Sequence, residues 1–202
     1  MDFFLIIFLS YISGSIPFGL ILAKVFGKID IRKIGSGNIG ATNVLRTGNK
    51  FLASLTLVLD ILKGFIPVII TLNYYPELIQ LSCLSAFLGH LFPIWLKFKG
   101  GKGVATYLGI LFALSIELAI LFIFTWIVVS LIFKYSSISS MFSALTVFVV
   151  TLFRETAVPL ISLAATTTKM SFILFIFFIL IIFAHRKNIS NLKNKKEDKI
   201  KI

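Results

Sequence analysis

Phe98-Lys99-Gly100-Gly101-Lys102-Gly103-Val104-Ala105-Thr106 lies between two long apolar runs. Its two lysines and three glycines suit a phosphate group. Glycine lets the backbone approach an anion closely with its N–H groups, and lysine adds charge. The flanking runs decide the fold. Leu78 to about Phe98 precedes the motif and Val104–Phe133 follows it. Charge-free runs of about 20 apolar residues are long enough to cross a bilayer.

Composition extends that reading to the whole chain. The 202 residues are 58% hydrophobic and 14% charged, with a mean hydropathy of +1.01. A soluble domain is less apolar and carries about a quarter charged residues. The expectation is an all-α integral membrane protein. A net charge of +12 would suggest nucleic acid as a partner of a soluble protein. Here the cations fall in loops and tail, which is the positive-inside pattern, so no nucleic-acid partner is expected. Cys83 is the sole cysteine, which rules out an intrachain disulfide, and its apolar setting makes it a packing residue. The first apolar run lacks a basic leader and an obvious cleavage site, so it is expected to stay as a helix.

Seven spans are expected, at about 3–26, 51–73, 78–98, 104–115, 117–133, 139–153 and 170–184, in a single membrane domain with a basic tail at 185–202. Pro17, in Gly14-Ser15-Ile16-Pro17-Phe18-Gly19, is expected to kink the first span. Asp60 and Lys63 share a face of the second and are expected to pair inward, since either charge alone in hydrocarbon costs roughly 3 kcal/mol. Val104–Phe133 is ambiguous. One straight helix would be about 45 Å long, against a hydrocarbon core of about 30 Å. Ser115-Ile116-Glu117 offers a turn, and five spans remain if this stretch merely dips into the membrane. Polar breaks are expected at Lys134–Ser140, at Arg154–Pro159 and around Thr166-Thr167-Thr168-Lys169. The segments 27–50, 97–103 and the tail are basic and belong in the cytoplasm. Seven crossings then put the N-terminus outside and the C-terminus inside.

The segment Gly35-Ser36-Gly37-Asn38-Ile39-Gly40-Ala41-Thr42-Asn43-Val44-Leu45-Arg46 is dense in small donors. Ser36, Asn38, Thr42 and Asn43 can hydrogen-bond a polyol phosphate, and Arg46 can clamp its oxygens bidentately. The competing reading is a flexible cytoplasmic loop whose arginine sets topology. Neither loop is a Walker P-loop, because Lys102 is followed by Gly103. No Gly-x-Ser-x-Gly elbow occurs, and two histidines in distant spans make no metal site, so no metal or cofactor is expected. His90 and His185 read first as structural hydrogen-bonders.

Taken together, these motifs resemble, nearly end to end, the bacterial glycerol-3-phosphate acyltransferases that use acyl phosphate as donor (the PlsY type). Gly14–Gly19 is similar to the first-helix signature of that family. Asp30-Ile31-Arg32, Gly35-Ser36-Gly37-Asn38, Gly40-Ala41-Thr42-Asn43 and Arg46 resemble its first motif, and Asp60 with Lys63-Gly64 its second helix. Gly89-His90, Phe92-Pro93 and Phe98–Thr106 resemble its second motif. Tyr135, Ser137 and Ser140 fall at its Tyr/Ser segment, and His185-Arg186, Asn188-Ile189, Leu192 and Glu197 follow its tail motif. Asn191 and Lys195 depart from the arginine and glycine usual there, and Lys134 from an arginine.

The resemblance implies transfer of a fatty acyl group from acyl phosphate to the 1-hydroxyl of glycerol 3-phosphate at the inner membrane, with the active site facing the cytoplasm. Lysophosphatidic acid and phosphate are the products. It implies catalytic roles for Lys102, Ser36 and Arg46. Gly37, Asn38, Thr42, Asn43, Lys99, Gly100, Gly101, Gly103, His185 and Asn188 are implied as substrate-binding, with Ser137 or Ser140. The glycine amides and Lys102 would hold the donor head. Membrane lipid and coupling to the enzyme that makes acyl phosphate are the further partners implied. The residues themselves leave two rivals open. One is a transporter of a phosphorylated metabolite, against which stands the lack of a convincing internal repeat. The other is a scaffold capturing anionic lipid through the tail.

Overall fold

The computed structural model describes residues 2–157 and 170–200, and the described residues are helical or irregular. The polar piece Thr166–Lys169, Val158-Pro159 and Lys201 lie outside them. The chain forms two compact units, Met1–Ser115 and Ile116–Ile202.

In the first unit, α1 (Asp2–Ser15) and α2 (Phe18–Val25) form a pair bent by 40°. Pro17 lacks an N–H and disfavours helical backbone at Ile16, so the chain breaks there. Lys63 donates to the Ile16 carbonyl so released, at 2.7 Å. Lys63 also stands 2.7 Å from Asp60, and the two side chains are 2% and 3% exposed. The expected inward pair is thus a charge cluster that also stitches the broken first span to α4 (Lys50–Tyr74). The helices meet backbone to backbone. A Cβ at Gly14 of α1 would lie 1.9 Å from the Ala86 carbonyl of α5 (Ile79–Leu91). On α4, a Cβ at Gly64 would lie 2.3 Å from the Thr106 carbonyl of α6 (Val104–Leu114). Small residues are what permit such approach between membrane helices.

The five-residue α3 (Ala41–Leu45) lies between α2 and α4. Ile31, Ile39 and Val44 bury into one apolar cluster with Leu20, Leu22 and Ala23 of α2 and Leu52 and Ala53 of α4. The polar segment 27–50 is therefore anchored by its own apolar residues.

Of two boundaries here, the first differs from the sequence expectation and the second follows it. The third apolar run leaves helix at Leu91, because Pro93 forbids its continuation, and it resumes as a short 3₁₀ turn at Ile94–Leu96. The ambiguous run 104–133 breaks at Ser115, whose backbone is extended, giving α6 and then α7 (Ile116–Phe133).

In the second unit, α8 (Ser136–Ala157) packs against α7 and against α9 (Met170–Ala184), and α10 (Arg186–Lys193) follows α9 at a bend of 54°. The serine-rich stretch expected as a break is instead the first turn of α8. Only Lys134, at φ +61°, and Tyr135 separate it from α7. Arg154 and Glu155 also lie within α8 rather than in a break. Arg154 pairs with Glu117 at 2.8 Å, and the Glu155 carboxylate accepts from the Ser171 amide at the start of α9, at 3.0 Å. Their polar groups are satisfied across helices, so the helix need not end. Among the described residues, four helices are long and apolar enough to cross a membrane, or six if each bent pair is one span. The 11-residue α6 is a shorter apolar helix.

Candidate functional site

The glycine-lysine loop is built on the end of α5. The last carbonyls of a helix have no intrahelical partner. Here the His90 and Leu91 carbonyls accept from the Gly101 and Gly100 amides, at 3.1 and 3.0 Å. Those two N–H groups cap α5, so they do not face a phosphate as the sequence reading had it. The glycines are needed because a Cβ at Gly100 would lie 2.0 Å from the His90 carbonyl oxygen. Before them, Lys97 and Phe98 both adopt left-handed backbone, at φ +52° and +60°. That costs roughly 1–2 kcal/mol per residue for side chains with a Cβ. It is held by bonds from the Phe98 amide to the Pro93 carbonyl (3.0 Å) and from the Lys99 amide to the Leu96 carbonyl (3.1 Å).

Gly103, at φ +81°, turns the chain into α6, whose start carries no side-chain cap. Half-buried Lys102 directly precedes Gly103, the N-cap at the positive end of α6. Lys99 is exposed.

In the segment before α4, buried Asn43 is the organiser. Its Oδ1 accepts from the Ser36 amide (3.1 Å) and hydroxyl (3.3 Å), and its Nδ2 donates to the Ile31 (2.8 Å) and Asn38 (2.7 Å) carbonyls. All its hydrogen-bonding directions serve the loop, so it holds the loop together. Asn38 Oδ1 accepts from the Gly40 amide at 3.0 Å. This scaffold presents Ser36, Gly37, Thr42 and Arg46, which are exposed. Gly35, at φ +52°, lies under the Arg46 side chain: a Cβ there would be 2.7 Å from Arg46 Cδ and 3.0 Å from Nη1. Asp30 forms a two-point pair with Arg32, at 2.9 and 2.6 Å, and that hydrogen-bonded guanidinium holds its carboxyl well below the usual carboxylate range.

In the second unit the two candidate serines separate. Ser140 Oγ donates to the Ser136 carbonyl at 2.8 Å and accepts from the Trp126 indole at 3.2 Å. Ser137 is 2% exposed, and its hydroxyl has no hydrogen-bond partner among the described residues. His185 is buried at the α9–α10 bend, with Nδ1 donating to the Ile181 carbonyl at 2.8 Å. Asn188 is buried on α10 and donates to Glu197.

The path that brings Glu197 back is not visible in the sequence. Lys195 takes left-handed backbone at φ +55°, the chain reverses, and the Ile200 amide bonds the Lys134 carbonyl at 2.7 Å. The resembled family's glycine at this position is the signal for that turn. Sequence reading also missed the buried bond between Thr106 Oγ1 and His90 Nδ1, at 3.1 Å.

The family model described as glycerol-3-phosphate acyltransferase matches residues 4–195. A glycerol-3-phosphate acyltransferase of Pelagibacter ubique is 52% identical over 202 residues, covering all of both chains. One of Mesorhizobium japonicum is 49% identical over 190 residues, covering 94% of this chain and 92% of that protein. Two crystal structures of PlsY (YgiH), described as an integral membrane glycerol 3-phosphate acyltransferase, are similar at 35% identity. The glycerol 3-phosphate form has a TM-score of 0.88 and covers 100% of this chain and 96% of that one. The lysophosphatidic acid form has a TM-score of 0.86 and covers 98% and 95%.

Proposed function

The chain belongs to the glycerol-3-phosphate acyltransferase family, and from that premise we propose how its residues carry out the transfer. The acyl donor is acyl phosphate. The 1-hydroxyl of glycerol 3-phosphate attacks its carbonyl carbon, an ester C–O bond forms, and the C–O bond to phosphate breaks. Lysophosphatidic acid and inorganic phosphate leave, and a phosphate oxygen takes the hydroxyl proton. The donor is a mixed anhydride with a good leaving group, so no enzyme nucleophile is required. Positioning and cationic stabilisation of the developing charge suffice.

The observation that carries the assignment is Lys102 at the uncapped start of α6. An ammonium group and a helix N-terminus on one anion suit the departing phosphate. Gly103 provides the turn that makes this possible, and Lys99 adds exposed positive charge. Ser36 and Arg46 act on glycerol 3-phosphate, with Gly37, Asn38 and Thr42 beside them in the loop. In the second unit, taken by itself, the candidate polar groups are Ser137, whose hydroxyl has no hydrogen-bond partner among the described residues, Asn188 and His185. Ser140 is a packing serine. The chain crosses the bacterial inner membrane seven times, counting α1–α2 as one span and α6 as a short one. Its N-terminus is outside and its basic C-terminus inside, so the active site faces the cytoplasm. It works with the enzyme that supplies acyl phosphate.

The test is phosphate release by the purified protein in lipid. Palmitoyl phosphate is supplied with and without glycerol 3-phosphate, and acyl-CoA is the parallel donor. Acceptor-dependent phosphate release with lysophosphatidic acid as product is expected from palmitoyl phosphate, and neither lysophosphatidic acid nor free CoA from acyl-CoA. Release without acceptor, or equal use of acyl-CoA, overturns the donor assignment.

A further inference from the structure

We propose that His90 is a positioning residue for the Lys102 loop, fixing both ends of the segment that carries the lysine. The proposal rests on the reading of Lys102 given above. His90 is 4% exposed and makes three contacts with that segment. Its carbonyl accepts from the Gly101 amide at 3.1 Å. Its Nδ1 bonds Thr106 Oγ1 at 3.1 Å, in the first turn of α6. Its ring lies against Gly101, where a Cβ would stand 2.1 Å from Nε2 and 2.8 Å from Cε1. Gly101 and Thr106 bracket Lys102, so one imidazole defines where the chain enters and leaves the lysine.

The contacts also exclude a direct chemical role. Nδ1 is engaged by Thr106, and Nε2 is packed against the backbone of Gly101. A residue that merely filled volume would need neither nitrogen. The Thr106 hydroxyl is wholly buried, and a buried hydroxyl needs a partner, which the imidazole provides. The polar link, rather than ring volume, is therefore the functional element. Its reach matters because a misplacement of about 1 Å at a reacting site lowers the rate by about 10²-fold.

The experiment compares His90→Leu, His90→Asn, Thr106→Val and Lys102→Ala in the full chain in lipid. It reads kcat, KM for palmitoyl phosphate and for glycerol 3-phosphate, and Tm. Leucine keeps the bulk and loses the link, whereas asparagine places an amide where Nδ1 stands. Thr106→Val removes the link from the other side and decides the matter if His90→Leu fails to fold. The expected result is a fall in kcat of about 10-fold to 10²-fold for His90→Leu and Thr106→Val, with KM for glycerol 3-phosphate within about twofold. His90→Asn should recover most of the loss. Equal impairment of the Asn and Leu variants, or wild-type kcat in Thr106→Val, overturns the proposal. If Lys102→Ala is inactive in that case, the reading of Lys102 stands; a fully active Lys102→Ala overturns that reading as well.

Discussion

Gly64→Ala separates the packing of α6 from its chemistry. The added Cβ would lie 2.3 Å from the Thr106 carbonyl oxygen and 3.1 Å from its carbonyl carbon and Cγ2. An ordinary carbon–oxygen approach is about 3.3 Å, so about 1 Å must be found. The Cβ is fixed to its own backbone and the nearest atom it meets is a backbone oxygen, so no rotamer change relieves the clash and α6 must move off α4. Two terms oppose each other in stability. Alanine is better than glycine in a helix interior by about 1 kcal/mol, while overpacking costs about 1–3 kcal/mol. The net loss is thus about 0–2 kcal/mol, a small change in Tm. Activity has no compensating term. Thr106 lies four residues beyond Lys102, and a shift of about 1 Å there is expected to lower kcat/KM by about 10²-fold. The assay is phosphate release from palmitoyl phosphate with glycerol 3-phosphate, alongside thermal unfolding in the same lipid. Wild-type kcat/KM in a folded Gly64→Ala protein would refute the claim that this contact sets the position of the α6 start.

Asn43→Asp replaces two donors by acceptors facing the Ile31 and Asn38 carbonyls, so the loop should loosen by about 1–3 kcal/mol and KM for glycerol 3-phosphate should rise, as steady-state kinetics will register. Ser137→Ala should lower kcat/KM for the acceptor. Ser140→Ala should leave it near wild type and cost about 1 kcal/mol in unfolding, through the lost Trp126 bond. Arg46→Lys should raise acceptor KM, because a point charge does not reproduce the planar fork; an unchanged KM counts against the assignment. The Asp30 carboxyl is depressed by Arg32, so its stabilising contribution is present above the ordinary Asp pKa and fades on acidification through the depressed value. Hydrogen exchange across residues 28–37 should therefore be slower than in an Asp30→Asn control near neutrality, with the difference closing in acid.

How much of this was legible depended on whether a residue's role was local. Pro17 and Pro93 act through their own missing N–H, so the first break was readable from sequence, and the second was there to be read in Phe92-Pro93. The Asp60–Lys63 pair followed from its spacing of three and from the cost of a lone charge in hydrocarbon. Ser136–Ser140 read as a break because serine is polar, yet within α8 Ser139 and Ser140 donate to carbonyls four residues earlier. Such back-bonding hides polarity inside a helix, and composition does not reveal it. Asn43 and Asn38 carry the same chemical groups, and only the contacts distinguish the asparagine that builds the loop. Ser137 and Ser140 differ in the same way, because the partner that occupies Ser140 is Trp126, fourteen residues away.

The glycines illustrate how composition alone misplaces backbone hydrogen bonds. Gly100-Gly101-Lys102-Gly103 suggests an anion cradle, because glycine amides commonly serve one. The structure uses the first two amides to cap a helix that Pro93 has ended early. Once α5 stops at Leu91, the His90 and Leu91 carbonyls need donors in a setting where water is scarce. The chain supplies them by folding back so closely that a side chain at Gly100 would collide with both carbonyls, at 2.0 and 2.5 Å. That return places Lys102 directly before a fresh helix start, where charge and dipole act together. The proline, the glycines and the lysine are thus one device. The early helix end creates the need, the glycines meet it, and the lysine is delivered to the start of α6 as a consequence.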